Sequence, residues 1–581
     1  MKMTRRMLLT GTAAIALMGA AFAGEAAAQG SGRKPNIIVI LGDDQGFSDW
    51  SCYGSEIPTP NIDALAAGGL RFTTFYNTPK CSPSRASLLT GAWPHQAGLG
   101  HLEQVAFPGS RGLRGHLLPR VATFAELLKD QGYFTAMAGK WHLGITRGVG
   151  PWDRGFDRSL TSPQGRLYYP DQVTNNPINQ ELYIDGKYYP ADAPEVGTGE
   201  WYSADLFVEY AIRYIKEARA KGKPFALYLP FVNAHPTLMA PQEDVARFRG
   251  KYKAGWDALR QARFERQKTL GIFGPDEKLP PREPNSYDWN RLTAQEQDAF
   301  DHMMAIYAAN VSRMDKAIGT LMDALKAMGE FDDTLVLAMV DNGANAEAGP
   351  DGELVAQLLP ADDGKLVPQR LGGPHSSVAE GMEWATMSNT PFRYFKQFTY
   401  EGGISTPCIA HWPRGIDAAL NGSFVRELSH LIDVMPTLLE LTGTKYPASY
   451  HGNKLVALPG RSFAPVFRGR NLGNRAAPLY WEHQGNRAVR TETWKLVQNW
   501  GHPWNLYAMA TDRSETNDMA AAQAERVFQM AAQWNVWAEN SDVDPWTDAY
   551  DHQVYRNGPR QNWGTVMRPK LPDAMDRREQ W

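Results

Sequence analysis

The chain has 581 residues, a formal net charge of −3 at pH 7, and 21% charged residues. This length is sufficient for more than one domain, and the near-neutral charge excludes the strongly basic surface typical of proteins that bind nucleic acid or anionic membranes. Three cysteines, Cys52, Cys81 and Cys408, are too few for a disulfide framework, although a single bridge between Cys52 and Cys408 stays open beside the expectation of two buried thiols.

The first 28 residues have the composition of an export signal. Lys2, Arg5 and Arg6 precede an apolar run over residues 7–23, and small-residue cleavage sites follow it. The Arg5-Arg6 pair resembles a twin-arginine signal, so we expect a bacterial protein that is handed to the export machinery and reaches the periplasm or the medium. The run is short for a lone membrane anchor and no later run is long enough to span a bilayer, so we expect no stable membrane association.

Two apolar runs far apart in the chain each end in acidic and amide side chains. Residues 37–41 precede Asp43 and Asp44, and residues 334–340 precede Asp341 and Asn342. A run that is apolar on both faces predicts a central strand of a parallel sheet covered by helices, whose ligands lie beyond the carboxyl ends of the strands. Adjacent aspartates can also simply begin a turn. Together the four side chains would provide only oxygen ligands, which suit calcium better than zinc.

Alternating helices and strands lie between these two runs. A predicted helix over residues 124–129, capped by Thr123, leads into a strand over 133–138 that is followed by Lys140 and His142. A helix over residues 206–220 leads into a strand over 225–229, followed by His235. The pattern predicts an α/β fold, although a Lys-x-His pair is usually solvated and a histidine beside proline is as often structural as catalytic.

Cys81 begins a stretch that predicts the start of a helix. Pro83 fits a first helical turn, Ser82 or Ser84 can cap free backbone amides, and good helix formers follow from Ala86. A thiol at the positive end of a helix suits a nucleophile, whereas most lone cysteines are small buried side chains.

The motif Cys81-Ser82-Pro83-Ser84-Arg85, followed by Ala-Ser-Leu-Leu-Thr-Gly, resembles the signature of the type I sulfatases of the alkaline phosphatase superfamily. The resemblance implies an α/β/α sandwich around a large, mostly parallel mixed sheet. It also implies that a separate formylglycine-generating enzyme oxidises Cys81 to formylglycine. The hydrated aldehyde would then be the nucleophile, and a covalent sulfo-enzyme would form.

The same resemblance assigns roles to side chains that the strands deliver to one edge of the sheet. One calcium ion would be bound by Asp43, Asp44, Asp341, Asn342 and the modified Cys81. Lys140 and Lys396, the latter before Glu401-Gly402-Gly403, would bind sulfate oxygens. His235 would be the acid toward the leaving group, His142 would lie on the aldehyde side, and Arg85 would steady the hydrate or the acids around the metal.

From residue 459 the pattern changes to short strands separated by turns, which predicts an antiparallel sheet. We therefore expect a signal peptide over residues 1–28, a catalytic domain over 33–458, and a smaller α+β domain with its tail over 459–581. The C-terminal part is similar to the domain that closes the sulfatase fold.

These features predict hydrolysis of small-molecule sulfate esters to an alcohol or phenol and inorganic sulfate. One alternative is a formylglycine-dependent hydrolase of phosphodiesters or phosphonate monoesters. Phosphatases and phosphodiesterases of the superfamily commonly have Asp-His where this chain has Asp341-Asn342, which favours a sulfatase. The other alternative is a non-catalytic calcium-binding surface protein whose cysteine never matures.

Overall fold

The computed structural model describes residues 34–172, 177–283, 286–347, 371–374 and 378–550. The predicted signal peptide, and the end of the predicted C-terminal domain beyond residue 550, lie outside the described residues.

Ten strands of the described chain form one mixed sheet in the order β11-β2-β10-β9-β1-β8-β4-β5-β6-β7. The strands within the described residues are β1 Asn36–Gly42, β2 Leu70–Phe72, β3 Phe75–Tyr76, β4 Phe134–Lys140, β5 Arg158–Ser162, β6 Glu181–Ile184, β7 Lys187–Pro190, β8 Phe225–Pro230, β9 Thr334–Val340, β10 Cys408–His411, β11 Ser423–Val425, β12 Ser429–His430, β13 Ser449–Tyr450, β14 Asn453–Lys454, β15 Leu479–His483, β16 Asn486–Arg490, β17 Trp494–Gln498 and β18 Asn505–Ala508. The run β9-β1-β8-β4-β5 is parallel, so the carboxyl ends of these strands meet at one edge.

Strand β1 is buried on both faces, as its apolar run predicts. Ile38 and Ile40 pack into the hydrophobic core on one face of the sheet, whereas Ile37, Val39 and Leu41 pack into the core on the other. Helices cover both faces, so the predicted α/β sandwich is confirmed.

The α-helices of the described segments are α1 Pro60–Ala67, α2 Cys81–Thr90, α3 Phe124–Asp130, α4 Ser203–Ala220, α5 Gln242–Ala246, α6 Trp256–Thr269, α7 Ala294–Met328, α8 Gly381–Ser388, α9 Glu401–Ile404, α10 Val434–Thr442 and α11 Ala524–Asn540. Thr123 caps α3 as predicted: its side chain accepts from the Glu126 backbone N–H while the Glu126 carboxylate accepts from the Thr123 N–H. Among the described helices, none combines the length and apolar character needed to cross a bilayer.

The predicted antiparallel sheet is present as β15-β16-β17-β18, with α11 packed against it. Buried polar contacts join it to the segment that precedes α2, for example the Trp481 Nε1–H donating to the Asn77 carbonyl at 2.7 Å. The domain boundary at residue 458 stays a prediction. Cys52 and Cys408 are free thiols.

Candidate active site

The four oxygen-bearing side chains that follow β1 and β9 lie together at the carboxyl edge of the sheet. Asp43, Asp44, Asp341 and Asn342 are fully buried. The Asp44 backbone N–H donates to Asp341 Oδ1 at 3.2 Å, and Asn342 Nδ2 donates to Asp44 Oδ1 at 2.7 Å. The parallel pairing of β1 with β9 brings them together, because Gly42 and Val340 lie in register at the two strand ends.

Cys81 is the first residue of α2 and points into this acidic group. Its Sγ lies 3.6 Å from Asp43 Oδ1 and 3.8 Å from Asp44 Oδ1. The expectation that Ser82 or Ser84 caps the helix is wrong, because neither side chain bonds an amide of the first turn. Ser84 Oγ instead donates to the Asp341 carbonyl at 2.5 Å, which ties the nucleophile helix to the end of β9.

Arg85 lies one helical turn after Cys81 and faces the same carboxylates. Its Nη2 is 3.0 Å from Asp341 Oδ2 and 3.3 Å from Asp43 Oδ2, and its Nη1 donates to the Lys140 carbonyl at 3.1 Å. The guanidinium is completely buried. It therefore holds two of the acids and the end of β4 in one arrangement.

Two buried lysines reach the same acids from different elements. Lys140, the last residue of β4, places Nζ 2.6 Å from Asp43 Oδ2. Lys396, in the loop before α9, places Nζ 2.8 Å from the Asp44 carboxylate and 3.3 Å from Glu347 Oε2. Each lysine is thus positioned by an acid of the group around Cys81.

Of the two histidines singled out in the sequence, His235 lies beside an acid of this group and His142 contacts Gln104. His235 Nε2 lies 3.6 Å from Asp44 Oδ2, and His142 Nε2 lies 3.1 Å from Gln104 Oε1. Burial, and then the charge of Lys140, lower the pKa of each imidazole well below its usual value. Both rings are therefore neutral in the substrate-free protein near pH 7.

The acids of the site differ in their protonation. Burial, followed by repulsion from Asp341, raises the pKa of Asp43 to about 7. Burial acts the same way on Asp44, but Lys396 and Lys140 outweigh it and hold the pKa of Asp44 at about 2. Burial also raises the pKa of the Cys81 thiol, so an unmodified Cys81 is a protonated and weak nucleophile here.

The donor set fits a hard cation. Single ligand atoms of Asp43, Asp44, Cys81 and His235 lie within 4.8 Å of one another. The buried Asn342 Oδ1 has no hydrogen-bond partner among the described residues, so it is available as an additional oxygen donor. Beside the Cys81 thiol and the His235 imidazole, the donors are carboxylate and amide oxygens, the ligands preferred by calcium or magnesium.

Three polar residues near the acids were not singled out in the sequence. Asn345 Nδ2 donates to Asp44 Oδ2 at 2.7 Å, and Glu347 forms ion pairs with Lys80 and with Lys396. Asn345 and Glu347 follow Asn342 closely, and Lys80 directly precedes Cys81. Only their closeness in sequence to these motifs could have indicated that they belong to the site, because their residue types are common in any polar loop.

Comparison with known proteins identifies the family. The sulfatase family model matches residues 35–444, and the model for the N-sulphoglucosamine sulphohydrolase C-terminal region matches residues 391–538. The chain is 33% identical over 537 residues to an uncharacterized sulfatase of Schizosaccharomyces pombe, covering 89% of this chain and 95% of that protein. It is 35% identical over 447 residues to an arylsulfatase of Klebsiella aerogenes, covering 76% of this chain and 94% of that protein.

A solved structure, Ps i-CgsB in complex with k-i-k-neocarrahexaose, shares the fold with a TM-score of 0.64 at 24% identity, covering 91% of this chain and 99% of that one. The fold and the site motifs both agree with the sequence matches. The chain therefore belongs to the sulfatase family and is a sulfuric ester hydrolase.

Proposed function

We propose that this sulfatase hydrolyses its esters with formylglycine, formed from Cys81, as the nucleophile. The observation that carries the proposal is the position of Cys81. Its Sγ lies within 4 Å of two buried aspartates, at the N-terminus of α2, with Arg85, Lys140 and Lys396 around the same acids. The hydrated aldehyde supplies two hydroxyl groups on one carbon, one to attack sulfur and one to expel sulfate later.

A calcium ion is the cation that we propose for the donor set. Asp43, Asp44, Asp341 and Asn342 would hold it, together with an oxygen of the modified residue 81. When bound, it supplies Lewis-acid polarisation of a sulfate oxygen.

The cationic side chains bind the anionic part of the ester. Lys140 and Lys396 are held by Asp43 and Asp44, so their charges are already oriented before the sulfate arrives. Arg85, paired with Asp341 and Asp43, fixes the carboxylates rather than reaching toward solvent.

His235 is the proposed proton donor to the leaving group. Its Nδ1 is bonded to the Pro236 carbonyl, so in the neutral ring Nδ1 carries the proton and Nε2 faces the site. Because its pKa is low in the substrate-free protein, the ring must take up a proton when a negatively charged ester enters. The protonated Nε2 can then donate to the departing oxygen.

His142 is the proposed base on the aldehyde side. Its ring is neutral and its Nδ1 has no hydrogen-bond partner among the described residues, while Nε2 contacts Gln104. A neutral imidazole with an open nitrogen can accept a proton from a hydroxyl of the hydrate.

We further propose that the protein matures with a formylglycine-generating enzyme and is exported from a bacterial cell. The charged start, apolar run and paired arginines of residues 1–28 support export. Twin-arginine export moves folded proteins, so oxidation of Cys81 would precede it.

Mass spectrometry of the tryptic peptide that contains position 81 tests the nucleophile. The active protein should carry an aldehyde in place of the thiol, and Cys81→Ala and Asp341→Ala should abolish sulfate release while the proteins stay folded. An intact thiol in fully active protein would refute the mechanism. Comparison of 4-nitrophenyl sulfate with a nitrophenyl phosphodiester distinguishes the sulfatase from the phosphodiester alternative.

A further inference from the structure

The segment from Ser162 to Tyr168 spans the space between the two active-site histidines. On one side, the His142 backbone N–H donates to the Pro163 carbonyl at 2.8 Å. On the other, the Tyr168 hydroxyl lies 2.7 Å from the His235 carbonyl, to which it donates. The middle of the segment, with Gly165 buried and Arg166 exposed, therefore lies between the backbones of these histidines.

Gly165 brings this segment onto the side chain of Lys140. A Cβ at Gly165 would lie 2.1 Å from Lys140 Cδ, so the backbone passes directly over the stem of the proposed sulfate-binding lysine. Gly165 also has a φ of +67°, which a residue with a side chain rarely adopts. The segment is thus shaped to pack against Lys140 and to expose the next residue.

The backbone around Arg166 is held from within. The buried Gln172 donates from Nε2 to the Arg166 carbonyl at 2.6 Å and accepts from the Tyr168 N–H at 2.8 Å. These hydrogen bonds fix the backbone of Arg166 and do not involve its guanidinium.

The side chain of Arg166 is exposed, and its guanidinium forms no ion pair or side-chain hydrogen bond with the described part of the chain. The cations inside the site differ, because Lys140, Lys396 and Arg85 each contact an aspartate. The positive charge of Arg166 nevertheless acts on both His142 and His235. It is therefore an exposed cation that is free to pair with a ligand.

We propose that Arg166 binds a second oxyanion, a carboxylate or a sulfate, on the leaving group of the ester. This inference rests on the proposed function, in which His235 protonates the leaving group and Lys140 binds the sulfate. Arg166 lies on a fixed segment that contacts both residues, and its charge reaches both histidines, so its guanidinium is placed to pair with an anionic substituent on the leaving group. A guanidinium recognises a planar carboxylate or a sulfate through paired hydrogen bonds. Doubly anionic esters are thus the preferred substrates.

Three esters test this selectivity on the mature enzyme: 4-nitrophenyl sulfate, its 2-carboxylate derivative, and its 2-sulfonate derivative as a stand-in for a second sulfate. Arg166→Ala should lower kcat/KM about fivefold for a doubly anionic ester, the factor expected of a surface charge pair, and less than about twofold for 4-nitrophenyl sulfate. Arg166→Glu should lower kcat/KM for the doubly anionic esters further than Arg166→Ala does. Arg166→Lys should keep part of the wild-type kcat/KM for these esters. The two derivatives show which oxyanion is preferred.

Arg266→Ala, an exposed arginine on α6, is the matched control and should leave all three rates unchanged. An equal fall for all three esters would place Arg166 on the common sulfate and overturn the proposal, as would no change for any of them. If the mature wild-type protein hydrolysed none of the esters, the proposed function itself would fail, and this inference with it.

Discussion

Lys140 Nζ and Asp43 Oδ2 lie 2.6 Å apart although 97 positions separate the two residues in the chain. Both are completely buried, at the carboxyl ends of β4 and β1, with β8 between these strands in the sheet. The same carboxylate belongs to the proposed metal site, and the same ammonium to the proposed sulfate site. The Asp43 carboxylate therefore holds the Lys140 ammonium in place, and this ion pair couples the metal site to the sulfate site electrostatically.

Gly165→Ala is expected to lower activity by displacing Lys140. The new Cβ would lie 2.1 Å from Lys140 Cδ, and misplacing a binding group by about 1 Å can cost about 100-fold in rate, so we expect kcat/KM for 4-nitrophenyl sulfate to fall about 10- to 100-fold. Gly148→Ala is the matched control, because Gly148 has a similar φ of +76° and its Cβ would meet no atom within 4 Å. Equal activity of the two variants would contradict the proposed contact.

Chelation should remove activity and lower the thermal midpoint. Without a cation, the buried Asp43, Asp44 and Asp341 lie close together and are compensated by Lys140, Lys396 and Arg85, whereas a cation at 100-fold above its Kd adds about 2.7 kcal/mol to stability. Calcium should restore both properties and zinc should not, because the donors are oxygens.

Differential scanning fluorimetry with EDTA and added calcium measures the shift of the midpoint. The Asp341→Ala variant should show no calcium-dependent shift. A wild-type midpoint and activity that both resist prolonged chelation would count against a bound cation.

Stability should fall as the pH drops below about 6.5, the usual value for histidine. Burial, followed by repulsion from Lys80, lowers the pKa of His101 to about 3. Between these values the unfolded chain binds a proton that the folded chain does not. The contribution of His101 to the free energy of unfolding is therefore complete above the pKa of the unfolded chain. It is lost, at about 1.4 kcal/mol per pH unit, as the pH falls toward 3.

In His101→Asn, the free energy of unfolding should depend less on pH, by about 1.4 kcal/mol per pH unit between pH 6 and 4.5. Urea unfolding measures this slope. Asn Oδ1 can still accept from the Leu102 N–H, which His101 Nδ1 accepts at 2.6 Å. His451→Asn, at an exposed position, is the control for loss of a histidine. An unchanged slope in His101→Asn would show that this ring does not drive the acid sensitivity.

Lys495→Met should destabilise the junction between the two sheets. Lys495 Nζ, on β17, lies 2.9 Å from Glu401 Oε1 and 2.7 Å from Glu515 Oε1, and all three side chains are buried. Removing one partner of a buried ion pair typically costs about 3–5 kcal/mol, because the remaining charge has lost its compensation. Chemical unfolding measures the loss, and the exposed Lys454→Met should cost little. Arg513 Nε also lies 3.4 Å from Glu401 Oε2, so a loss below about 1 kcal/mol would show that this arginine compensates Glu401 without Lys495.

Some sequence predictions were wrong where a distant segment determined the local structure. Ser84 does not cap α2, because its hydroxyl donates instead to the carbonyl of Asp341, far away in the chain. Helix α6 is rich in charged residues, yet its Trp256 and Arg263 are buried. Arg263 pairs there with Asp49 and Glu56, which no local pattern could show.

By itself, the sequence determined the central strands, the Thr123 cap of α3 and the identity of the chemical groups. An apolar run such as residues 37–41 is buried on both faces only in a strand of a covered sheet. A capping box such as that of Thr123 forms within one helical turn. Both features are therefore encoded locally. Only the tertiary structure decided which charges meet. The pairing of Lys140 with Asp43, the contact of Asn345 with Asp44, and the place of Arg166 between two histidines all depend on strand order and register. These are set by packing over the whole sheet, which no single stretch of sequence contains.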